Sequence, residues 1–121
     1  MTDSARHPTT AYKVLTQPQM DALEADGTFA GAPVDLSDGY IHLSTAHQLT
    51  ETVDKHFAGQ EDLHVVAVDL AALGDAIRWE ESRGGQLFPH IYGSDLLLET
   101  VVAYGPLERL ADGQVKLPVA G

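Results

Sequence analysis

Apolar positions along the chain switch between a two-residue and a three-to-four-residue period, and the switches mark the elements. In Ala11–Leu15 (AYKVL), Tyr12 and Val14 alternate with their neighbours, which predicts a first strand. Thr16 and Gln19 then stand at capping-box spacing with Pro18 inside the first turn. Met20 and Leu23 carry a helical stripe on to Ala25, and Gly27 is placed to stop it. The stretch Thr28–Asp38 (TFAGAPVDLSD), with Gly31, Pro33 and two acids, reads as a loop. Gly39–Ser44 (GYIHLS) is a β-type run, with Tyr40, His42 and Ser44 on one face and Ile41 and Leu43 on the other. Thr45 and Gln48 repeat the capping-box spacing, and Leu49, Val53 and Phe57 form the stripe of a second helix ending before Gly59.

The second half reads mostly as strands. Leu63–Leu70 (LHVVAVDL) is β-branched and almost continuously apolar, as a central strand covered on both faces would be. After a turn at Ala71–Gly74, Ile77–Ser82 (IRWEES) sets Ile77 and Trp79 against Arg78 and Glu80. Arg83-Gly84-Gly85-Gln86 is a loop and Phe88–Tyr92 a short aromatic strand, where Pro89 suggests an edge or a bend. Leu96–Tyr104 predicts one further strand, with a short one at Glu108–Leu110 and a turn at Asp112-Gly113. Early helices and late strands argue an α+β fold with a largely antiparallel sheet. The length of 121 residues suits one domain over 11–121, with residues 1–10 a polar lead-in.

Composition removes several function classes. Eighteen acids against seven Lys plus Arg give a net charge of −11, and the cations are scattered, so general nucleic-acid binding is not expected. No apolar run is long enough to span a bilayer and no secretory leader is visible, so no membrane association and a cytoplasmic location are expected. Without cysteine there is neither a disulfide nor a thiolate metal site, which fits the same compartment. No glycine-rich dinucleotide or triphosphate cradle follows a strand.

The chemistry concentrates in Asp38–Thr45 and Glu80–Gly93. His42 and Ser44, two residues apart on a strand, point the same way, and Tyr40 extends the polar row that could hold a ribose or another polyhydroxy ligand. The alternative is a half-buried structural histidine beside a helix-capping serine. His90 and Tyr92 repeat the spacing. Glu80, Ser82 and Arg83 run into two glycines, an arrangement that could polarise a hydroxyl or meet a phosphate, or else form a surface ion pair. His42, Glu80 and His90 are the candidate catalytic residues; Tyr40, Ser44, Ser82, Arg83 and Tyr92 are the candidate ligand-binding ones. The histidines lack metal-ligand spacing, so no metal is expected. An adaptor that uses an acidic surface has only the net charge behind it.

The segments VDLSDGYIHLSTAHQ, LHVVAVDLAALG, IRWEESRGG and FPHIYG together resemble the bacterial domain-of-unknown-function family 952, from Tyr12 to about Leu110. Ser94-Asp95 departs from the family pattern after FPHIYG. The resemblance implies an α+β fold similar to the NAD-binding core of ADP-ribosyltransferases, with two small sheets and two main helices around a cleft. By that analogy the cofactor is NAD or an ADP-ribose-like ligand and the reaction is transfer of ADP-ribose. His42 and Ser44 would hold the ribose and Tyr92 would stack on the nicotinamide. Glu80 would stabilise the developing charge, with Arg83 and the glycines near the pyrophosphate. The competing expectation is a non-catalytic domain that binds a small polar ligand.

Overall fold

The computed structural model describes residues 7–118. A three-stranded antiparallel sheet runs through its middle in the order β1 (Thr10–Thr16), β4 (Leu63–Asp69), β8 (Val101–Pro106). Alternation splits its side chains between two cores. Ala11, Leu15, Val66 and Val68 point one way, and Tyr12, Val14, Val65 and Ala67 the other. The first core is closed by Met20 and Leu23 of α1 (Gln17–Asp26) and by Ile41, Leu43 and Ile91 of a second sheet. The second core is closed by Leu49 and Val53 of α3 (Leu49–His56) and by Val115. Coverage on both faces is why β4 reads as a continuous apolar run.

The second sheet is antiparallel with the order β3 (Ile41–His42), β6 (Leu87–Ile91), β5 (Ile77–Glu81). A two-stranded pair, β2 (Thr28–Phe29) with β7 (Leu96–Leu97), completes the α+β architecture of small antiparallel sheets. The two larger sheets meet at one backbone bridge. Tyr12 N donates to Ser44 O at 2.7 Å, and Ser44 N donates to Tyr12 O at 2.9 Å.

Helix α1 begins as its spacing predicts. Thr16 Oγ1 accepts from Gln19 N, Gln19 Oε1 accepts from Thr16 N, and Gly27 ends the helix at φ 76°. At α3 only half of that arrangement forms: Gln48 Oε1 accepts from Thr45 N, while Gln48 itself is the N-cap. Ser44 lies outside the helix, so it is not its cap.

Several expectations are corrected. The segment read as a loop contains β2 and a short helix, α2 (Pro33–Asp38), which starts from an alanine and so lacks the usual capping residue. The strand expected over Leu96–Tyr104 is broken into β7, a 3-10 turn at Leu98–Thr100, and β8, because its two halves pair in different sheets. The turn before β5 holds a short helix, α4 (Leu70–Leu73). Residues Glu108–Leu110 make one bridge, Arg109 with Val115, and no strand. Pro89 lies in the central strand β6, not at an edge. Its carbonyl accepts from Leu43 N at 3.0 Å, so its nitrogen faces the same side, beyond the end of two-residue β3, where no ladder partner is needed. Of the expected lead-in, residues 1–6 lie outside the described part. His7 stacks on Trp79 with centroids 4.2 Å apart, and Thr9 O accepts from Leu70 N.

Candidate functional site

The site is organised by a residue that spacing did not single out. Gly31, at φ 135°, lets the chain fold so closely onto α2 that a Cβ there would stand 2.8 Å from Asp35 Cβ. Asp35, at the third position of α2, takes Ala32 N on Oδ2 at 2.8 Å. Its Oδ1 accepts from His42 N at 3.1 Å and pairs with His42 Nδ1 at 2.7 Å. Lys13, on the face of β1 between Ala11 and Leu15, reaches Asp35 Oδ2 at 3.0 Å and donates to the His42 carbonyl at 3.0 Å. Both charged groups are buried. Burial alone pushes the Asp35 carboxyl up. The His42 hydrogen bond, the Lys13 ammonium and the two backbone N–H groups outweigh it and hold the carboxyl at about 2. Burial lowers the Lys13 ammonium, against the pull of Asp35. The other ring nitrogen of His42, Nε2, meets Asp38 Oδ2 at 3.0 Å.

His90 is directly across from His42 on β6 and directly across from Arg78 on β5. The two imidazoles lie edge to face with centroids 5.1 Å apart. His90 Nδ1 sits 2.7 Å from Glu80 Oε1, which also accepts from Tyr92 OH at 2.7 Å. These bonds hold the Glu80 carboxyl below the usual carboxylate range, and the Glu80 contact pushes the Tyr92 phenol up to about 12. His90 is 3% exposed, and burial depresses its imidazole even though Glu80 pulls the other way. Tyr40 stacks over His90 at 4.3 Å and Tyr92 at 4.9 Å, and tilts against His42 at 4.7 Å. Burial, with Asp38 and Glu80 nearby, raises the Tyr40 phenol. The Arg78 guanidinium lies 4.8 Å above the Tyr92 ring.

Beside this cluster, along the edge of β1 that Ser44 bridges, opens a cleft of about 550 Å³. One wall is His42, Leu43 and Ser44 with Phe88 and His90; the others are Tyr12–Val14, Ala32–Val34, and Thr52, His56 and Phe57 of the α3 region. Among the expected site residues, His42, Ser44, Ser82 and His90 line the cleft. Tyr40, against both histidines, Glu80, bonded to His90, and Tyr92, bonded to Glu80, are outside the lining. Ser44 Oγ is occupied by Thr52 Oγ1 at 2.8 Å. The loop glycines Gly84 and Gly85 are not in the lining, and the Arg83 side chain lies outside the described part. Among the described residues, no Asp or Glu lines the cleft, and no group of three His, Asp or Glu side chains is arranged to hold a metal ion.

The two histidine motifs therefore do not face each other across a gap; they are neighbours in one sheet. Sequence reasoning missed Asp35, Lys13 and Arg78 as members of the cluster. A signal for Asp35 was present: Pro at the first and Asp at the third position of a helix is a helix-start pattern. Lys13 carried one too, as the lone cation in the apolar run of β1.

The family model described as "Protein of unknown function (DUF952)" matches residues 14–104. Among solved structures, the crystal structure of protein CC0527 from Caulobacter crescentus is 45% identical, with a TM-score of 0.81 over 90% of this chain and 95% of that one. A double-mutant crystal form of the same protein gives 43% and 0.80. Its solution NMR structure gives 45% and 0.75 over 89% of this chain and 91% of that one. No curated protein matches the chain.

Proposed function

The chain belongs to the DUF952 family, and from the geometry of its cleft we infer that it binds a small ligand with a hydroxyl held by His90, the His42 ring serving as part of the wall because Asp35 and Asp38 take both its nitrogens. The observation that carries this reading is the state of His90. Its Nδ1 is taken by Glu80, it is almost fully buried, and it lines the cleft with Nε2 free of any hydrogen bond among the described residues. A buried polar nitrogen without a partner is costly, and a ligand hydroxyl supplies the missing bond. The mixture of apolar wall (Val14, Leu43, Phe57, Phe88) and few polar groups, at about 550 Å³, is that of a small-molecule site.

The ligand class proposed is ribosyl-bearing, NAD or ADP-ribose-like, with one ribose hydroxyl on His90. Tyr92 already carries Tyr40 and Arg78 on its ring, so aromatic contact with the ligand falls to Tyr12 and Phe57 in the lining. Binding without ADP-ribose transfer is the reading the carboxylates favour. Glu80 is committed to His90 and Tyr92 outside the lining, and among the described residues no Asp or Glu lines the cleft to face an oxocarbenium-like centre. Titration calorimetry with NAD and with ADP-ribose tests the ligand class: saturable heat is expected with at least one, and is expected to vanish in His90→Ala. Flat titrations with both at millimolar concentration overturn it. Nicotinamide release from NAD would overturn the non-transferring form.

A further inference from the structure

We propose that His90 is the proton acceptor of the cleft and Glu80 its positioning residue, so that a hydroxyl or water lodged against Nε2 is deprotonated there. The proposal rests on the reading of the cleft as a ligand site and adds a chemical step to it. Glu80 sits 2.7 Å from Nδ1 and is held in its charged form by His90 and Tyr92, so it has no proton to offer. The proton of that contact therefore belongs to Nδ1, and the lone pair of the neutral ring is left on Nε2. Tyr92 fixes the carboxylate from its other side through the same oxygen. His42 cannot serve in this way. Both its nitrogens face carboxylate oxygens, Asp35 at 2.7 Å and Asp38 at 3.0 Å, which leaves no lone pair for the cleft.

The step is a single proton transfer. The O–H bond of the bound hydroxyl breaks with its electron pair left on oxygen, and an N–H bond forms at Nε2. The imidazolium that results is compensated by Glu80, while the oxygen becomes the nucleophile. The groups that face His90 are Glu80 and Arg78 from β5, His42 from β3, Tyr40 over the ring, Tyr92 at the shared Glu80 oxygen, and Asp35 behind His42. Burial sets the balance among them, keeping the ring neutral below the ordinary histidine value of 6.5.

The test needs no substrate. Long-range proton–nitrogen NMR of the intact protein should show His90 as the Nδ1–H tautomer, still neutral somewhat below pH 6.5. Diethyl pyrocarbonate, which acylates a bare imidazole nitrogen, should modify His90, with the site mapped by mass spectrometry. In Glu80→Gln, an exchange at a partly exposed position, the amide can donate to Nδ1. The tautomer should then shift toward Nε2–H and acylation should slow by at least about tenfold. An Nε2–H tautomer in the wild type, an unreactive His90, or a Glu80→Gln protein with unchanged tautomer and rate each overturns the assignment. Protection by NAD or ADP-ribose separates the two readings. If tautomer and reactivity are as expected but neither compound protects, the ligand class fails and the proton acceptor stands.

Discussion

Asp35 shows how one side chain can decide the geometry of a site it does not line. It accepts from the N-terminus of its own helix, from the backbone and ring of His42, and from a lysine on another sheet. Two buried charges are tolerated because each is the other's counter-ion and the remaining lone pairs are satisfied. Asp35→Asn keeps the shape but leaves the Lys13 ammonium buried without an anion. The expected cost is about 3 kcal/mol of stability in urea unfolding, with His42 losing its fixed ring orientation. Glu80 does the corresponding work for His90 from a more exposed position, so its replacement should alter tautomer and reactivity with little change in stability.

Among the elements, the short ones place the site. Helix α2 has six residues and no capping hydrogen bond from its N-cap side chain, and it stays in place through Pro33 at its start, Asp35 and the close approach at Gly31. Gly31→Ala puts a Cβ into Asp35 at a backbone conformation unfavourable to alanine; a loss of about 1–3 kcal/mol is expected, with weaker ligand binding as the cleft wall moves. Thr16→Ala, by contrast, removes one cap of α1 and touches neither His42 nor His90. It should cost about 1 kcal/mol in the same unfolding measurement and leave His90 acylation unchanged. Gln48 belongs with the first group. Its amide donates to Leu87 O at 2.8 Å, tying the start of α3 to β6.

For the molecule as a whole, pH is the variable that reads the cluster. The Asp35 carboxyl is lower in the folded protein than in the unfolded chain, so its contribution is present above about pH 4 and lost as pH falls toward 2. His90 is also lower when folded, so its contribution is complete above 6.5 and declines as pH falls through the folded value. Both make the fold acid-labile. Melting temperatures measured from pH 7 down to 3 should drop in two stages. His90→Gln should flatten the upper stage and Asp35→Asn the lower. A wild-type profile superimposable on both variants would refute the linkage. Protonation of the many surface acids also relieves the self-repulsion of a chain with net charge −11, so the comparison with variants, not the slope alone, is the measurement.

Local periodicity by itself determined the elements whose signal repeats along the chain: β1, the capped α1, the apolar β4, the β5–β6 hairpin and the stripe of α3. It also determined which residues share the face of His42 and which share that of His90, because alternation along a strand is a backbone property. What only the tertiary structure decided is what those faces meet. No spacing rule relates Lys13 to Asp35, or His42 to His90, since strand order and register join positions far apart in the chain. The break at Leu98–Thr100, the central place of Pro89 and the helix in a stretch read as loop have the same origin. Each is set by a pairing partner or a buried ion pair that outweighs the local preference.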